Sequence, residues 1–289
     1  MPYRQLLNWI RLLRPQQYVK NFFILPPMIF ARRWDVVEET AIGFGLYCLT
    51  SSAVYAFNDA YDAPADRCHP YKRFRPIASG AIAPHSALAV AAFLAVGSIL
   101  GGFLLKPLFA MILFLYLLNN LLYTLWLKRI ALLDVFSIAA GFILRIYGGA
   151  VIGSIPVSTY LFMTVFFLST FLAFGKRRHE LLIVSPKEAP LNRKSLRLYS
   201  VYYLDQVMNI SATLTLVVYV LYLMQNAFMW LLGTLPIVVM GLFRYYHLTH
   251  NKQGGEPTQE LLTDRFLLVL GGLYGMLAML EMMNVPFPL

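Results

Sequence analysis

The chain has 289 residues, of which 59% are apolar and only 13% are charged, and its formal net charge is +10. Soluble domains carry roughly 25% charged residues, so the composition excludes an ordinary soluble protein and favours a chain surrounded mostly by lipid. The positive charge does not indicate nucleic-acid binding, because no nucleic-acid-binding motif is present and membrane orientation accounts for the excess.

The N-terminal segment, residues 1–17, spreads Arg4, Arg11 and Arg14 among apolar residues. A signal peptide would group its charges ahead of a short apolar core and a cleavage site. The pattern instead predicts an amphipathic helix on the cytoplasmic membrane surface. The two cysteines, Cys48 and Cys68, show no disulfide or metal-binding spacing, which predicts free thiols in a reducing compartment.

Nine apolar runs are long enough to cross a bilayer, which takes about 20 residues for a helix. The predicted spans are 18–33, 41–57, 84–104, 107–127, 132–152, 157–174, 207–225, 228–247 and 265–283. We therefore expect an all-α, polytopic integral membrane protein that forms a single domain over residues 1–289.

The loops between these spans divide unequally in charge. Of the 24 Lys and Arg residues, Arg32, Arg33 and Lys106 fall on one side and Arg145 falls within a span, which leaves 20 on the other side. Lys and Arg concentrate in cytoplasmic loops. The sequence thus predicts a multi-pass protein of the inner (plasma) membrane, with the N-terminus inside and the C-terminus outside. The expected cytoplasmic loops are 58–83, 128–131, 175–206 and 244–264.

An acidic segment follows the second predicted span. Asp59, Asp62 and Asp66 are spaced i, i+3 and i+7 and fall on one face of a helix. Three neighbouring carboxylates repel one another unless a cation neutralises them, and Mg²⁺ prefers such hard oxygen ligands. We predict that all three bind Mg²⁺ with help from Asn58. Pro64 should bend the helix near residues 60–63 and separate Asp66 from the other two.

Basic residues come directly after the acidic segment. Lys72, Arg73 and Arg75 are suited to phosphate, which Lys contacts as a point charge and Arg grips with two N–H groups. The same charges would also serve to hold a cytoplasmic loop at the membrane. Arg145, inside a predicted span, is either a functional residue or the partner of a buried acid or carbonyl. Asp134 lies near the cytoplasmic end of the same span.

These residues resemble the UbiA-type polyprenyl transferase superfamily. Asn58-Asp59-x-x-Asp62-x-x-x-Asp66 is similar to its first signature, and Tyr123 and Lys128 with Asp134 are similar to its second. The stretch from Arg14 to Asn21 is similar to its N-terminal Arg-Pro-x-Gln-x-x-Lys-Asn. The resemblance implies about nine helices around a central cavity that opens to the cytoplasm, and Mg²⁺-assisted loss of diphosphate.

Within the superfamily, the segments 66–80, 141–145 and 175–181 resemble the branch of decaprenyl-phosphate phosphoribosyltransferases. The resemblance implies transfer of phosphoribose from 5-phosphoribosyl 1-diphosphate to polyprenyl phosphate, for a lipid-linked, arabinose-type pentose donor in cell-envelope biosynthesis, and it leaves room for a homo-oligomer. It implies Asp59, Asp62, Asp134 and Lys128 as catalytic residues. The implied substrate-binding residues are Lys20, Asn58, Arg67, Lys72, Arg73, Arg75, Tyr123, Arg145, Lys176 and Arg177.

Two alternatives remain open at the level of sequence. One is a prenyltransferase that moves a prenyl group from prenyl diphosphate to an aromatic acceptor. It would need a second Asp-x-x-x-Asp, and here Ile138 stands where the acid after Asp134 belongs. The other is a lipid transporter or flippase, which would have no need of three carboxylates on one helix face.

Overall fold

The computed structural model describes residues 2–68, 72–183, 194–225, 229–250, 260 and 262–283, and within these ranges it is helical without strands. The α-helices are α1 (Pro2–Leu13), α2 (Pro26–Phe30), α3 (Val37–Arg67), α4 (Pro84–Leu105), α5 (Pro107–Leu125), α6 (Leu133–Gly153), α7 (Thr159–Ile183), α8 (Val201–Gln225), α9 (Met229–Leu232), α10 (Leu235–His250) and α11 (Arg265–Met282). A ten-residue 3-10 helix covers Pro15–Ile24, and shorter 3-10 helices cover Trp34–Val36, Lys72–Phe74, Leu127–Arg129 and Lys194–Leu198. The all-α prediction is confirmed. Parts of three expected loops, at 69–71, 184–193, 251–259 and 261, lie outside the described residues.

Seven helices in the described part of the chain are long and apolar enough to cross a membrane, namely α3 to α8 and α11. The count of nine is therefore not confirmed. The expected eighth span, 228–247, is divided between α9 and α10, and α10 has 16 residues. At 1.5 Å per residue it is about 24 Å long, which is shorter than the hydrocarbon core of about 30 Å.

The expected first span, 18–33, is not one α-helix. Its residues form the 3-10 helix Pro15–Ile24 and the five-residue helix α2. Pro26 and Pro27 lack the N–H groups that an α-helix continuing from residue 24 would need. The 3-10 helix instead packs against α3 and α6. At Gly149, a side-chain Cβ would lie only 1.9 Å from the Ile24 carbonyl oxygen, so this approach requires glycine.

Two of the helices that extend beyond the expected spans carry site residues in their extensions. α3 continues without a break through Pro64 to Arg67, so the acidic segment is helical instead of part of a loop. α7 continues nine residues past the expected end at 174 and includes Lys176 and Arg177. The predicted helical spacing of the aspartates is thus confirmed.

The long helices alternate in direction because their connections are short. Lys106 alone joins α4 to α5, residues 126–132 join α5 to α6, and residues 154–158 join α6 to α7. Each of these helices packs against the next one in sequence. As a result, the C-terminal ends of α3, α5 and α7 lie at the same end of the bundle as the N-terminal end of α6. The candidate site forms at this end.

Candidate active site

The carboxylates of α3 are held by cations from distant parts of the chain. Asp59 Oδ1 accepts hydrogen bonds from Arg14 Nη2 at 2.6 Å and from Arg75 Nη1 at 3.0 Å. The same Arg75 nitrogen lies 2.8 Å from Asp66 Oδ2. Asp62 Oδ1 accepts from Lys128 Nζ at 2.6 Å. Each aspartate is therefore neutralised, as the repulsion between them requires.

Two of the three aspartates face a common cavity. Asp59 and Asp62 line it, whereas the buried Asp66 is directed to Arg75 and is not among the lining residues. No three carboxylate, His or Cys side chains in the described residues are close enough together to hold a metal ion. The other oxygen of Asp59, Oδ2, is buried and has no hydrogen-bond partner. A buried oxygen without a partner costs free energy. Asp59 and Asp62 could therefore hold Mg²⁺ at the cavity wall, with this Asp59 oxygen as one of the ligands.

The cavity has a volume of about 450 Å³ and is strongly positive. Seven cationic side chains and three carboxylates line it, which is an excess of four positive charges. The cations are Arg14, Lys20, Lys72, Arg75, Lys128, Arg145 and Lys176, and the carboxylates are Asp59, Asp62 and Glu180. Such a concentration of charge of one sign in a partly enclosed space attracts anions.

Most of the sequence-predicted substrate residues meet at this cavity. Lys20, Asn58, Lys72, Arg75, Tyr123, Arg145 and Lys176 line it, and so does Lys128, which was predicted as a catalytic residue. Arg67, Arg73 and Arg177 do not line it. Arg67 is exposed at the end of α3, and the exposed Arg73 lies over the Phe74 ring.

Lys128 joins three parts of the site. It lies in the 3-10 helix between α5 and α6, and its ammonium group contacts Asp62 and the face of Tyr61, 5.3 Å from the ring centre. Its backbone carbonyl accepts a 2.9 Å hydrogen bond from Ser195 Oγ. Nearby, Thr124 donates to Asn58, which fixes the amide at the cavity wall.

Asp134 lies behind the cavity wall instead of on it. Its Oδ2 is 3.0 Å from Arg177 Nε, at ion-pair distance but without hydrogen-bond alignment, and 3.2 Å from Ser195 Oγ. Its Oδ1 accepts from Tyr199 at 2.7 Å. Burial raises the pKa of Tyr199, and the hydrogen bond to Asp134 raises it further, so the phenol remains a donor. Asp134 thus anchors the segment around residues 195–199.

Arg177 is the buried ion-pair partner of Asp134. It is buried, and it pairs with Glu180 one helical turn further on. It also donates to Tyr123 at 3.2 Å. Tyr123 and Glu180 line the cavity, so Arg177 supports the wall from behind without lining it.

Arg14 is a site residue that sequence reasoning did not assign. It lies between α1 and the 3-10 helix with a positive φ of 54°, which is uncommon for a residue other than glycine. This backbone turn lets its guanidinium reach Asp59 and lie 5.1 Å from the centre of the Tyr55 ring. The available signal was its place at the start of the Arg-Pro-x-Gln segment.

Two apolar cavities adjoin the polar one. The first, about 260 Å³, lies between the 3-10 helix Pro15–Ile24 and helices α6, α7, α10 and α11, and shares Lys20, Phe142 and Leu172 with the polar cavity. The second, about 440 Å³, lies between α3, α4 and α5 and shares Asn58 and Asn120. The cation Lys20 therefore lies where the first apolar cavity meets the polar one, and the amides of Asn58 and Asn120 lie where the second meets it.

Comparison with known proteins identifies relatives of this chain. A decaprenyl-phosphate phosphoribosyltransferase from Mycolicibacterium smegmatis is 33% identical over 281 residues, covering 90% of this chain and 88% of that protein. The protein of the same name from Corynebacterium glutamicum is 34% identical over 276 residues, covering 90% and 82%.

The solved structures agree on the fold. A UbiA homolog from Archaeoglobus fulgidus bound to GPP and Mg²⁺ superposes with a TM-score of 0.71 at 17% identity, covering 96% of this chain and 97% of that chain. The sequence profile of the UbiA prenyltransferase family matches residues 22–270. The chain therefore belongs to the UbiA prenyltransferase family, and it is a multi-pass membrane transferase.

Proposed function

We propose that the chain transfers phosphoribose from 5-phosphoribosyl 1-diphosphate to polyprenyl phosphate and releases diphosphate. The observation that carries the proposal is the excess of four positive charges around one cavity that joins an apolar one. The two relatives named above, similar along 90% of the chain, support it.

The charge of the substrates matches that of the cavity. A phosphate monoester carries about −1.5 to −2 charges near pH 7, and the donor bears a monophosphate in addition to its diphosphate, while the acceptor brings another phosphate. A prenyl diphosphate with a neutral aromatic acceptor would bring only the diphosphate. The substrates of the phosphoribosyl reaction therefore bring more negative charge to pair with the seven lining cations.

Asp59 and Asp62 would hold Mg²⁺, which supplies electrostatic stabilisation to a departing diphosphate. Lys72, Arg75 and Lys128, at the same mouth of the cavity, would bind its oxygens. Fixed cations of this kind stabilise the negative charge that develops as the bond from C1 breaks.

Lys20 is placed to bind the phosphate of the acceptor. It is the cation shared by the polar cavity and the smaller apolar cavity, which would take the first isoprene units. The lipid phosphate is already anionic near pH 7, so its attack on C1 needs positioning more than proton removal. We expect inversion at C1 from a single in-line displacement.

The membrane orientation follows from the charges at the bundle ends. In the loops predicted from the sequence, 20 of the 24 Lys and Arg residues fall on the side that carries the site, and positive loops stay in the cytoplasm. We therefore place the cavity mouth at the cytoplasmic face of the inner membrane, where a soluble anionic donor has access. The product would serve as a lipid-linked pentose donor for the cell envelope.

The direct test incubates the purified protein with Mg²⁺, polyprenyl phosphate and radiolabelled 5-phosphoribosyl 1-diphosphate. We expect label to become extractable into organic solvent, and Asp59→Ala to abolish this transfer. Asp35→Ala, which removes an exposed carboxylate from the 3-10 helix Trp34–Val36 that precedes α3, is the matched control and should leave transfer unchanged. Absence of lipid-extractable label refutes the proposal. Transfer of a prenyl group from prenyl diphosphate to an aromatic acceptor would establish the alternative.

A further inference from the structure

Arg145 is a buried cation on a membrane-spanning helix. Only 4% of it is exposed, and it lines the deep part of the polar cavity together with Gly141 and Phe142. Its three hydrogen bonds, all 2.8 Å long, go to Asn21 Oδ1, the Gly141 carbonyl and the Tyr116 hydroxyl. These acceptors fix the guanidinium group in place.

All of these acceptors are neutral. No carboxylate of the described residues pairs with Arg145, whereas the other two buried arginines each have one. Arg177 pairs with Asp134 and Glu180, and Arg178 lies 2.5 Å from Asp205. An unneutralised charge in a membrane protein's interior is expensive, and such residues usually serve a substrate or an ion.

The guanidinium also retains free donor capacity. Arginine has five N–H groups, and three of them are used in the bonds described above, so two lack an acceptor within the described part of the protein. Both belong to the terminal nitrogens, which can grip a phosphate oxygen pair. The faces of Tyr47, Tyr116 and Phe142 lie within 4.7–5.9 Å of the guanidinium carbon.

The depth of Arg145 separates it from the carboxylates. Asn21 Oδ1, which accepts from Arg145, also accepts from Ser51 on α3. Ser51 precedes Asp59 by eight residues, or about 12 Å along the helix axis. A pentose ring with phosphate groups on opposite ends can bridge such a separation. A prenyl diphosphate bound at the aspartates would place hydrocarbon beside the unneutralised charge.

We propose that Arg145 binds the phosphate on C5 of the donor and thereby selects a phosphorylated pentose over a prenyl chain. This inference rests on the proposed function, which sets which end of the donor lies at the aspartates. Arg145 is then a specificity-determining residue, and the substrate supplies the anion that the chain itself does not.

The test compares two partial ligands on purified protein by calorimetry. Ribose 5-phosphate reports the deep end of the cavity, and inorganic diphosphate with Mg²⁺ reports the mouth. In Arg145→Met we expect the affinity for ribose 5-phosphate to fall roughly 30-fold or more, as for loss of a buried charged partner. Diphosphate binding should stay within about threefold and also shows that the variant is folded. If Arg145→Met does not fold, Arg145→Gln, which retains polar contacts, replaces it, and we expect the same loss of affinity for ribose 5-phosphate.

The outcomes separate the inference from the proposed function. Equal loss of both ligands in folded protein, no loss of either, or no binding of ribose 5-phosphate by the wild type overturns the role of Arg145. If the binding pattern is as expected but no label reaches polyprenyl phosphate, the deep phosphate site stands and the proposed transfer fails. As a further readout, Arg145→Lys should raise KM for the donor more than it lowers kcat, because it retains the charge and loses the two-pronged grip.

Discussion

The buried pair of Asp134 and Arg177 allows the roles of structure and chemistry to be separated. Asp134→Asn preserves the size of the side chain but removes its charge and replaces one acceptor oxygen with an N–H donor. That donor would face either Arg177 or the hydroxyl of Tyr199, both of which are themselves donors in this network. The substitution therefore breaks contacts without leaving a cavity.

The size of the effect follows from the burial of both partners, which are at most 1% exposed. Removing one partner of a buried ion pair costs about 3–5 kcal/mol. Glu180 remains beside Arg177, so we expect the lower end, about 3 kcal/mol. For a chain of this size, that corresponds to a fall in Tm of roughly 6–12 °C.

Activity should respond differently from stability. Because Asp134 does not line the cavity, we expect folded Asp134→Asn protein to keep its turnover within a few-fold of the wild type at temperatures well below its Tm. Thermal unfolding in detergent, followed by tryptophan fluorescence, and label transfer on the same samples measure both quantities.

A double substitution provides the internal control. Asp134→Asn combined with Arg177→Met removes both charges, so its cost should be smaller than the sum of the single costs by 1 kcal/mol or more. The reasoning is refuted if Asp134→Asn has the stability of the wild type but turns over 100-fold more slowly. That result would give Asp134 the catalytic role that the resemblance implies.

Three further predictions concern the carboxylates, the helix packing and the acceptor. Asp59→Asn should lower kcat by roughly 100- to 1,000-fold, as for loss of a group that stabilises transition-state charge. Its Tm should fall by less than that of Asp134→Asn, because Arg14 and Arg75 are 20% and 28% exposed and water can solvate them; kcat within a few-fold of the wild type would contradict this role. Gly149→Ala should destabilise the protein by about 1–3 kcal/mol, because its Cβ would meet a backbone oxygen at 1.9 Å. The control Gly45→Ala, whose Cβ would meet no atom within 4 Å, should leave the stability unchanged. Equal unfolding curves for the two variants would count against the close packing at Gly149. Gly241→Phe should raise KM for polyprenyl phosphate about tenfold, because the new side chain would fill the smaller apolar cavity. Ala92→Phe, in the larger apolar cavity, should leave KM unchanged. The opposite pattern would show that the prenyl chain binds in the larger cavity.

Local patterns were sufficient to predict part of the site. The spacing of Asp59 and Asp62 predicted a shared helix face, and both line the cavity. Lys72 and Arg75 were identified because they follow the acidic segment closely in sequence. Arg73 is also basic and lies between them in the sequence, but its side chain lies over the Phe74 ring and does not line the cavity. The pattern of charges in the sequence does not distinguish it from Lys72 and Arg75.

Contacts between distant residues could not be predicted in this way. Asp59 and Arg14 are 45 residues apart, and Asp62 and Lys128 are 66 apart. Their pairing depends on how the helices pack, which hydropathy does not determine. Hydropathy likewise placed a first span at 18–33, since it measures apolar character and does not detect that Pro26 interrupts the hydrogen bonds of an α-helix.

The 3-10 helix Pro15–Ile24 has a consequence for the order in which the protein is assembled. Long 3-10 helices are poorly hydrogen-bonded and depend on their neighbours. One of these neighbours, α6, is synthesised much later, and the hydrogen bond between Asn21 and Arg145 joins residues that are 124 positions apart. The segment cannot insert as an independent span during synthesis, and the amphipathic α1 would hold it at the membrane surface meanwhile. Residues 15–24 are synthesised before α6 and yet are among the last to reach their final contacts.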